Sequence, residues 1–385
     1  MNDATDAVQD ALDELTRGYA VPPLGAGYYR ITKPLTLGPC MGARLAGSGN
    51  YARSLEGSWP AGMPCTVLEY DGPPEHPALT CTGTAALAIE RLTIVRKNND
   101  APAIRIRDGW GSLNITFRQV AIHGGSAGIE FGTEPTESTC ANVTYDDVFW
   151  KGCTSCVRLN NLQSLEHLFL RPQFNFAQVG VEVRRGGNVT ILGGGSYQLG
   201  TLLELHRIAS NTRGFNVTGF RCDGPRTRTA WLHCVEPERT RTLGAVSYNN
   251  CAQNNGQKES RLPLLTICSG ARAVLRECNL NAYPDNLEGG NLAHLHSNAR
   301  AAAELIVENC DGIRGDRLDR YLKLHGPRAT ALISRCGNLY TRSGYLAATT
   351  ITEHGLINDI LNERIPTCAP ETEPEQPTCS SPESH

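Results

Sequence analysis

Residues 305–312 read "LIVENCDG". Three other stretches of the chain are built alike. "AVSYNNCAQ" closes its apolar run at Cys251, "AVLRECNL" at Cys278 and "ALISRCGN" at Cys336. With Cys310, these cysteines are spaced by 27, 32 and 26 residues. A cysteine recurring at the end of the same short alternation marks either a chemical site or the register of a repeat.

The template is two apolar residues one apart, then a buried-type residue three further on. Slid upstream, it finds Leu87, Ile89 and Leu92, then Ile115, Phe117 and Val120, then Val143, Tyr145 and Val148. A weaker match falls at Leu165 and Leu168, followed by Val189, Ile191 and Gly194, and by Val217, Gly219 and Cys222. With the four cysteine stretches that makes ten copies, and Cys251, Cys278, Cys310 and Cys336 stand where Leu92, Val120 and Val148 stand earlier. Free cysteine behaves as a small buried hydrophobe. A straight column also supplies a line of thiols, not the tetrahedron of a structural zinc site. The cysteines therefore read as an inward ladder. "CTSC" at Cys153 and Cys156 has metal or redox spacing, but no second pair stands near it.

A second alternation follows most copies, as in "AIRIR", "GIEFG", "CVRLN", "GVEVR", "LLELH", "LAHLH" and "YLKLH". Each unit of about 27 residues thus holds two or three short strands of period two. No helical pattern separates them, which excludes leucine-rich and βαβ repeats, and the period is too short for a propeller blade. Such units bury an apolar face only by stacking. The fold expected is all-β, a parallel β-helix of about ten or more rungs.

The N-terminal run supports this. An amphipathic helix with Ala7, Val8, Ala11, Leu12 and Leu15 on one face precedes residues 21–29, "VPPLGAGYY", and a Gly-rich turn ending at Gly49. This order resembles the opening of the pectate-lyase-like, right-handed parallel β-helix superfamily, over roughly residues 3–345. The resemblance implies the fold, an N-terminal capping helix and a carbohydrate ligand. It extends to polysaccharide lyases, glycosidases, epimerases, virion tailspikes and non-catalytic members, so it leaves the activity open. The polygalacturonase-type residue set is missing except for its paired aspartates, Asp146 and Asp147, and neither pectate-lyase nor epimerase patterns occur. The expected organisation is a capping helix over 1–18, the β-helix over 19–345, a C-terminal capping segment with helix-like spacing over 346–365, and a disordered or docking tail over 366–385.

Composition agrees. The 385 residues include 39 Gly, 3 Met and only 6% aromatics, which suits short strands and turns. A net charge of -3 gives no reason to expect a nucleic-acid partner, and no apolar run is long enough for a membrane span. Fifteen cysteines in a long chain, an odd number, argue against a disulfide framework. The first residues lack a basic region followed by an apolar stretch, so no secretory signal is expected.

Outward positions of a β-helix also form columns, about 4.8 Å apart from rung to rung. One reads Arg105, Glu130, Arg158, Glu182, Glu204, His233, Thr266, His294, Lys323. Its first four places alternate in sign, as in solvated ion pairs along a sheet. Glu182 and Glu204 then stand together. Carboxylates about 5 Å apart match a retaining glycosidase, and like charges that close raise one pKa. The alternative is relief of the repulsion by splaying into solvent, or by Arg158 and Arg184. A second cluster places Asp146 beside Glu166 and Asp147 beside His167. It offers a general acid/base pair or a cation site, against the plain reading of a turn. A third column holds His206, Cys268, His296 and His325, where two neighbouring imidazoles could meet a transition metal or merely stack at a turn. No metal site and no cofactor are expected, although a divalent cation is possible.

The candidate catalytic residues are thus Glu182, Glu204, Asp146, Asp147, Glu166 and His167. Aromatics that could stack on sugar faces are Trp59, Trp110, Trp150 and Trp231, with Tyr197, Tyr248, Tyr283 and Tyr321; of these Trp110, in the turn "DGWGS", joins His233, Arg158 and His294 as the candidates for substrate contact. Trp150 aligns with Ile94 and Ile122, which points to the core. The expected function is recognition, with or without cleavage, of an extended polysaccharide, by a virion-borne, homotrimeric spike released without a classical signal peptide. A non-catalytic structural spike or adhesin is the main alternative, and a secreted pectinase-like lyase or glycosidase the third.

Overall fold

Strict period-two alternation turns one set of side chains inward and the other outward, and parallel pairing stacks like on like. In the computed structural model, which describes residues 3–50, 64–107, 109, 111–133, 140–206, 214–224, 229–235, 244–254, 263–280, 292–311, 322–334, 336, 345–352 and 355–364, this produces three long walls. The first wall starts at Gly27–Ile31 and has nine strands. The second starts at Leu35–Leu37 and has eleven. The third starts at Cys40–Met41 and has fifteen. In each wall every strand pairs in parallel with its equivalent one rung away, except at the C-terminal end of the third wall. The molecule is a parallel β-solenoid.

The helix Thr5–Thr16 buries Val8, Leu12 and Leu15 against the first rung, whereas Ala7 is exposed. Inside the coil the walls face one apolar core. Phe117, Tyr145 and Phe169 stack along it on successive rungs, with ring centroids 5.6 and 4.2 Å apart and planes within 14° of parallel. Offset stacking of this kind adds to the burial energy of each ring. Trp150 lies fully buried on the rung between Ile122 and Phe174, as its alignment indicated.

Among the described residues, nine passages from third wall to first wall are made by a residue with positive φ, followed by an inward corner residue. Arg91, Gln119, Asp147, Arg171, Gly193, Gly219, Asn250, Glu277 and Asn309 all take this conformation. The corner column that follows reads Leu92, Val120, Val148, Pro172, Gly194, Phe220, Cys251, Cys278, Cys310 and Cys336. The cysteine ladder therefore exists over four consecutive rungs. Each of its thiols donates to the carbonyl two residues earlier, at 3.4 Å for Cys251, 3.2 Å for Cys278, and 3.3 Å for Cys310 and Cys336. All thirteen cysteines among the described residues are free thiols.

Two positions of the expected register are displaced. Leu168 is not a corner residue; Pro172 is, because Val143 pairs with His167 and Tyr145 with Phe169. Cys222 lies two residues past the corner, inward on the first wall beside Ser196 and Gln253, with Phe220 at the corner. At the C-terminal end the helix-like spacing does not make a helix. Tyr345–Thr352 and Gly355–Arg364 are strands, and they extend the third wall in antiparallel fashion from Ala329–Ser334.

Candidate functional site

The second wall carries the charged column in the expected register. Arg105 pairs across to Glu130, Arg158 to Glu182 and Glu182 to Glu204, followed by His233, and His294 pairs with Lys323. The column's first four places are ion-paired but not solvated as expected. Neighbouring side chains cover it, so its carboxylates are ion-paired at low exposure. Arg105 Nε donates to Glu130 at 2.9 Å. Arg158, its side chain only 11% exposed, donates to Glu130 at 3.3 Å, to Glu182 at 2.7 Å and to the Ser126 carbonyl at 2.9 Å.

Glu182 is the centre of this network. It is 4% exposed and accepts from Ser155 Oγ at 2.6 Å, Arg158 Nε at 2.7 Å and Arg184 Nε at 2.6 Å. His206 Nε2 stands 3.4 Å from it and 3.1 Å from Glu204. Burial alone would favour the protonated acid, but the bond from His206, the Arg158 charge and the Ser155 bond outweigh it and hold the Glu182 carboxyl far below the usual carboxylate range. The same contacts, Glu182 first and then Glu204, raise His206 to about 9. The expected effect of paired carboxylates is therefore reversed. An imidazolium sits where their repulsion would have been, and the pair does not raise the pKa of Glu182. A carboxylate closed off and saturated with donors has no lone pair to offer as nucleophile and no proton to give.

The second cluster is not assembled. The four-residue displacement of register puts Asp146 opposite Leu170, and Asp147 opposite the positive-φ Arg171. Asp146 is ion-paired to Arg171 at 2.6 Å and to Arg118 at 3.5 Å. Glu166 occupies a separate column of positive-φ residues with Asn114 and Asn142, which lie within the strands Ser112–Arg118 and Cys140–Asp146. His167 points inward and is 1% exposed. Its Nδ1 lies 3.1 Å from the Tyr145 hydroxyl and its Nε2 3.0 Å from Ser164 Oγ, and burial pushes its pKa down to about 3. It is a core histidine whose two nitrogens are both satisfied.

Of the residues expected to touch a substrate, Trp110 lies outside the described residues. Arg158 is spent on ion pairs, His233 is half-buried on the second wall with its pKa lowered by burial, and His294 stands near the far end of the same wall. Burial, then the Lys323 charge, lower His294 to about 4.

The first wall presents a site that the sequence reading did not assemble. Its outward column runs His123, Lys151, Asn175, Tyr197 and Asp223. Phe176, in the turn after Asn175, is 47% exposed and Tyr197 39% exposed, with their rings edge to face at 5.3 Å. The Lys151 ammonium lies 5.3 Å from the Phe176 ring centroid, a cation–π distance. Lys151 and His123 also border a pocket of about 310 Å³, together with Val95, Arg96, Lys97, Gly124 and Gly152. Arg96 is tied to the carbonyls of His76 and Pro74, and Lys97 to Glu69, whereas the half-buried Lys151 stands beside the two rings. Spacing alone could not reveal this. "FNF" at residues 174–176 alternates, and only the corner register tells which ring faces out.

No family model and no curated protein matches the chain. Among solved structures it is similar to PfbA, a surface adhesin of Streptococcus pneumoniae, with 11% identity over 95% of this chain and 96% of that one and a TM-score of 0.48. It is also similar to the catalytic domain of a GH87 alpha-1,3-glucanase, with 11% identity over 81% of this chain and 64% of that one and a TM-score of 0.40. Likeness at this level carries no argument about activity. What the strands themselves establish is a parallel β-solenoid, the fold that the N-terminal resemblance implied.

Proposed function

We propose that this solenoid binds an extended polysaccharide along its first wall, and that it binds rather than cleaves. The observation that carries this reading is the exposed Phe176–Tyr197 pair beside Lys151 and the adjoining pocket. Exposed aromatic side chains offer a flat apolar face to a sugar ring and cost little rotamer entropy. The Lys151 ammonium next to them favours a polymer carrying carboxylate or sulfate groups. A wall of parallel strands repeats its outward groups at about 4.8 Å, which suits a linear repeating ligand. The saturation of Glu182 and the burial of His167 argue against the two acid clusters as catalytic machinery. A virion-borne, homotrimeric spike is the setting that the resemblance suggests, and light scattering of the purified chain tests the trimer.

The test is a binding screen against neutral and acidic polysaccharides with the full chain. Phe176→Ala and Tyr197→Ala should each weaken binding about tenfold, roughly 1.4 kcal/mol. Lys151→Gln should weaken binding to acidic polymers alone. Undiminished binding in all three variants would remove the site. Release of new reducing ends by the wild type, lost in Glu204→Gln, would restore the catalytic reading.

A further inference from the structure

His294, His296 and His325 lie together at the C-terminal end of the second wall. His294 and His296 are two apart on the strand Ala293–His296, so both face outward, and His325 is the cross-strand partner of His296. The His296 and His325 rings stack at 4.4 Å, 13° from parallel, and His294 meets His325 edge to face at 5.8 Å. One ring nitrogen from each of the three lies within 4.8 Å of the others. The sequence reading placed His294 in one column and the other two in another, and with only two neighbouring imidazoles it favoured stacking at a turn over a metal. It is the two-residue step along one strand, combined with the step to the next strand, that makes a triangle of the three.

We propose that these three imidazoles form a surface site for a divalent transition metal such as Zn²⁺, Co²⁺ or Ni²⁺. Three neutral imidazoles with a solvent molecule in the fourth position are a common donor set for such ions. Nitrogens about 2.0–2.1 Å from a tetrahedral metal stand roughly 3.3 Å apart. The widest separation here must therefore close by at most about 1.5 Å, within reach of rotation about the broad terminal torsion of histidine. Two of the rings are exposed enough to turn without disturbing the core: His296 is half-buried and His325 exposed. Lys323, opposite His294, brings a positive charge to the same face and opposes the ion, so the affinity of the wild type is limited by that lysine. The chemistry favours borderline metals over Ca²⁺ or Mg²⁺, which require oxygen donors. Among the described residues the second wall has one other group with metal-ligand spacing, Glu182, Glu204 and His206, but its histidine is already an imidazolium between two carboxylates.

The experiment titrates the metal-free full chain with Co²⁺ and then displaces it with Zn²⁺. The expected result is one Co²⁺ per chain, with visible absorption typical of nitrogen and oxygen ligands and no thiolate charge-transfer band. His296→Gln and His325→Gln should each lower the affinity at least tenfold, Lys323→Gln should raise it several-fold, and His206→Gln should leave it unchanged. Proton resonances of the imidazoles supply a measurement that needs no variant: in the wild type Zn²⁺ should shift three histidines first and together. Lack of Co²⁺ binding by the wild type, binding that survives in His296→Gln and His325→Gln, a thiolate band, or first shifts in other histidines would each overturn the proposal.

Discussion

Glu182 shows why a pair of acids in a sequence is not yet a pair of acids in a site. Its column neighbour is Glu204, as the spacing requires. The sequence offers Arg158 and Arg184 as relief of the repulsion, and both donate to Glu182; what the spacing does not contain is the reach of His206, two residues past Glu204, back onto the same carboxylate. The consequences are measurable. Removing one partner of a buried ion pair strands the other, at a cost of about 3–5 kcal/mol. Glu182→Ala, which leaves Arg158 largely buried, should destabilise the fold by that order in urea unfolding. The pH dependence has two limbs. Glu182 has a lowered pKa, so its contribution is present above about 4.5 and fades as pH falls below it. His206 has a raised pKa, so its contribution is complete below about 6.5 and is lost as pH climbs through about 9. Thermal unfolding should therefore show a falling alkaline limb between those values, and His206→Ala should flatten it. An alkaline limb identical in the variant would contradict the imidazolium bridge.

At the scale of the strand and the corner, the cysteines do packing. Cys310 fills the slot that Val120 and Val148 fill on earlier rungs, and its thiol adds a weak bond to the Glu308 carbonyl. Cys310→Val should accordingly cost less than about 1.5 kcal/mol and leave ligand binding unchanged. A loss of binding would reveal chemistry that the ladder does not otherwise show. The positive-φ residue before each corner is a separate element with its own prediction. A left-handed conformation costs a non-glycine residue about 1–2 kcal/mol, and glycine gives part of that back as chain entropy. Glu277→Gly should therefore stabilise the fold by up to about 1 kcal/mol, read as a rise in the unfolding midpoint. This turn was also the best register mark in the sequence. Asp147, Gly193, Gly219, Asn250 and Asn309 are residue types that tolerate it, and each directly precedes the corner. A template of apolar residues alone drifted at residues 165–168, because the inward residue there is His167 while Leu168 and Leu170 face outward. It drifted again at Cys222, because an inward cysteine two residues later resembles a corner cysteine. The walls, the capping helix and the second-wall column were legible from alternation. The second acid cluster depended on the drifting register, and so it dissolved.

For the whole molecule, a solenoid buries its core continuously and offers three long outward walls for function. Two of them differ in what they present. The second wall holds a largely covered ion-pair ladder that joins successive rungs, as charged cross-strand pairs do in a sheet. The first wall exposes aromatic rings and a cation beside a pocket. The aromatic core is the element that keeps both walls in place, and Phe169→Ala, which removes the end ring of the Phe117–Tyr145–Phe169 stack, should cost about 3–5 kcal/mol without creating or abolishing any specific contact on the surface. The central claim is that function resides on the first wall as binding. Calorimetric titration of an acidic polysaccharide into wild type, a Phe176→Ala/Lys151→Gln double variant and Glu204→Gln, with end-group release followed in the same samples, tests it most directly. The account predicts binding by the wild type and Glu204→Gln, loss of at least tenfold in the double variant, and no end-group release in any sample. Equal binding by all three, or end-group release that Glu204→Gln abolishes, would contradict it.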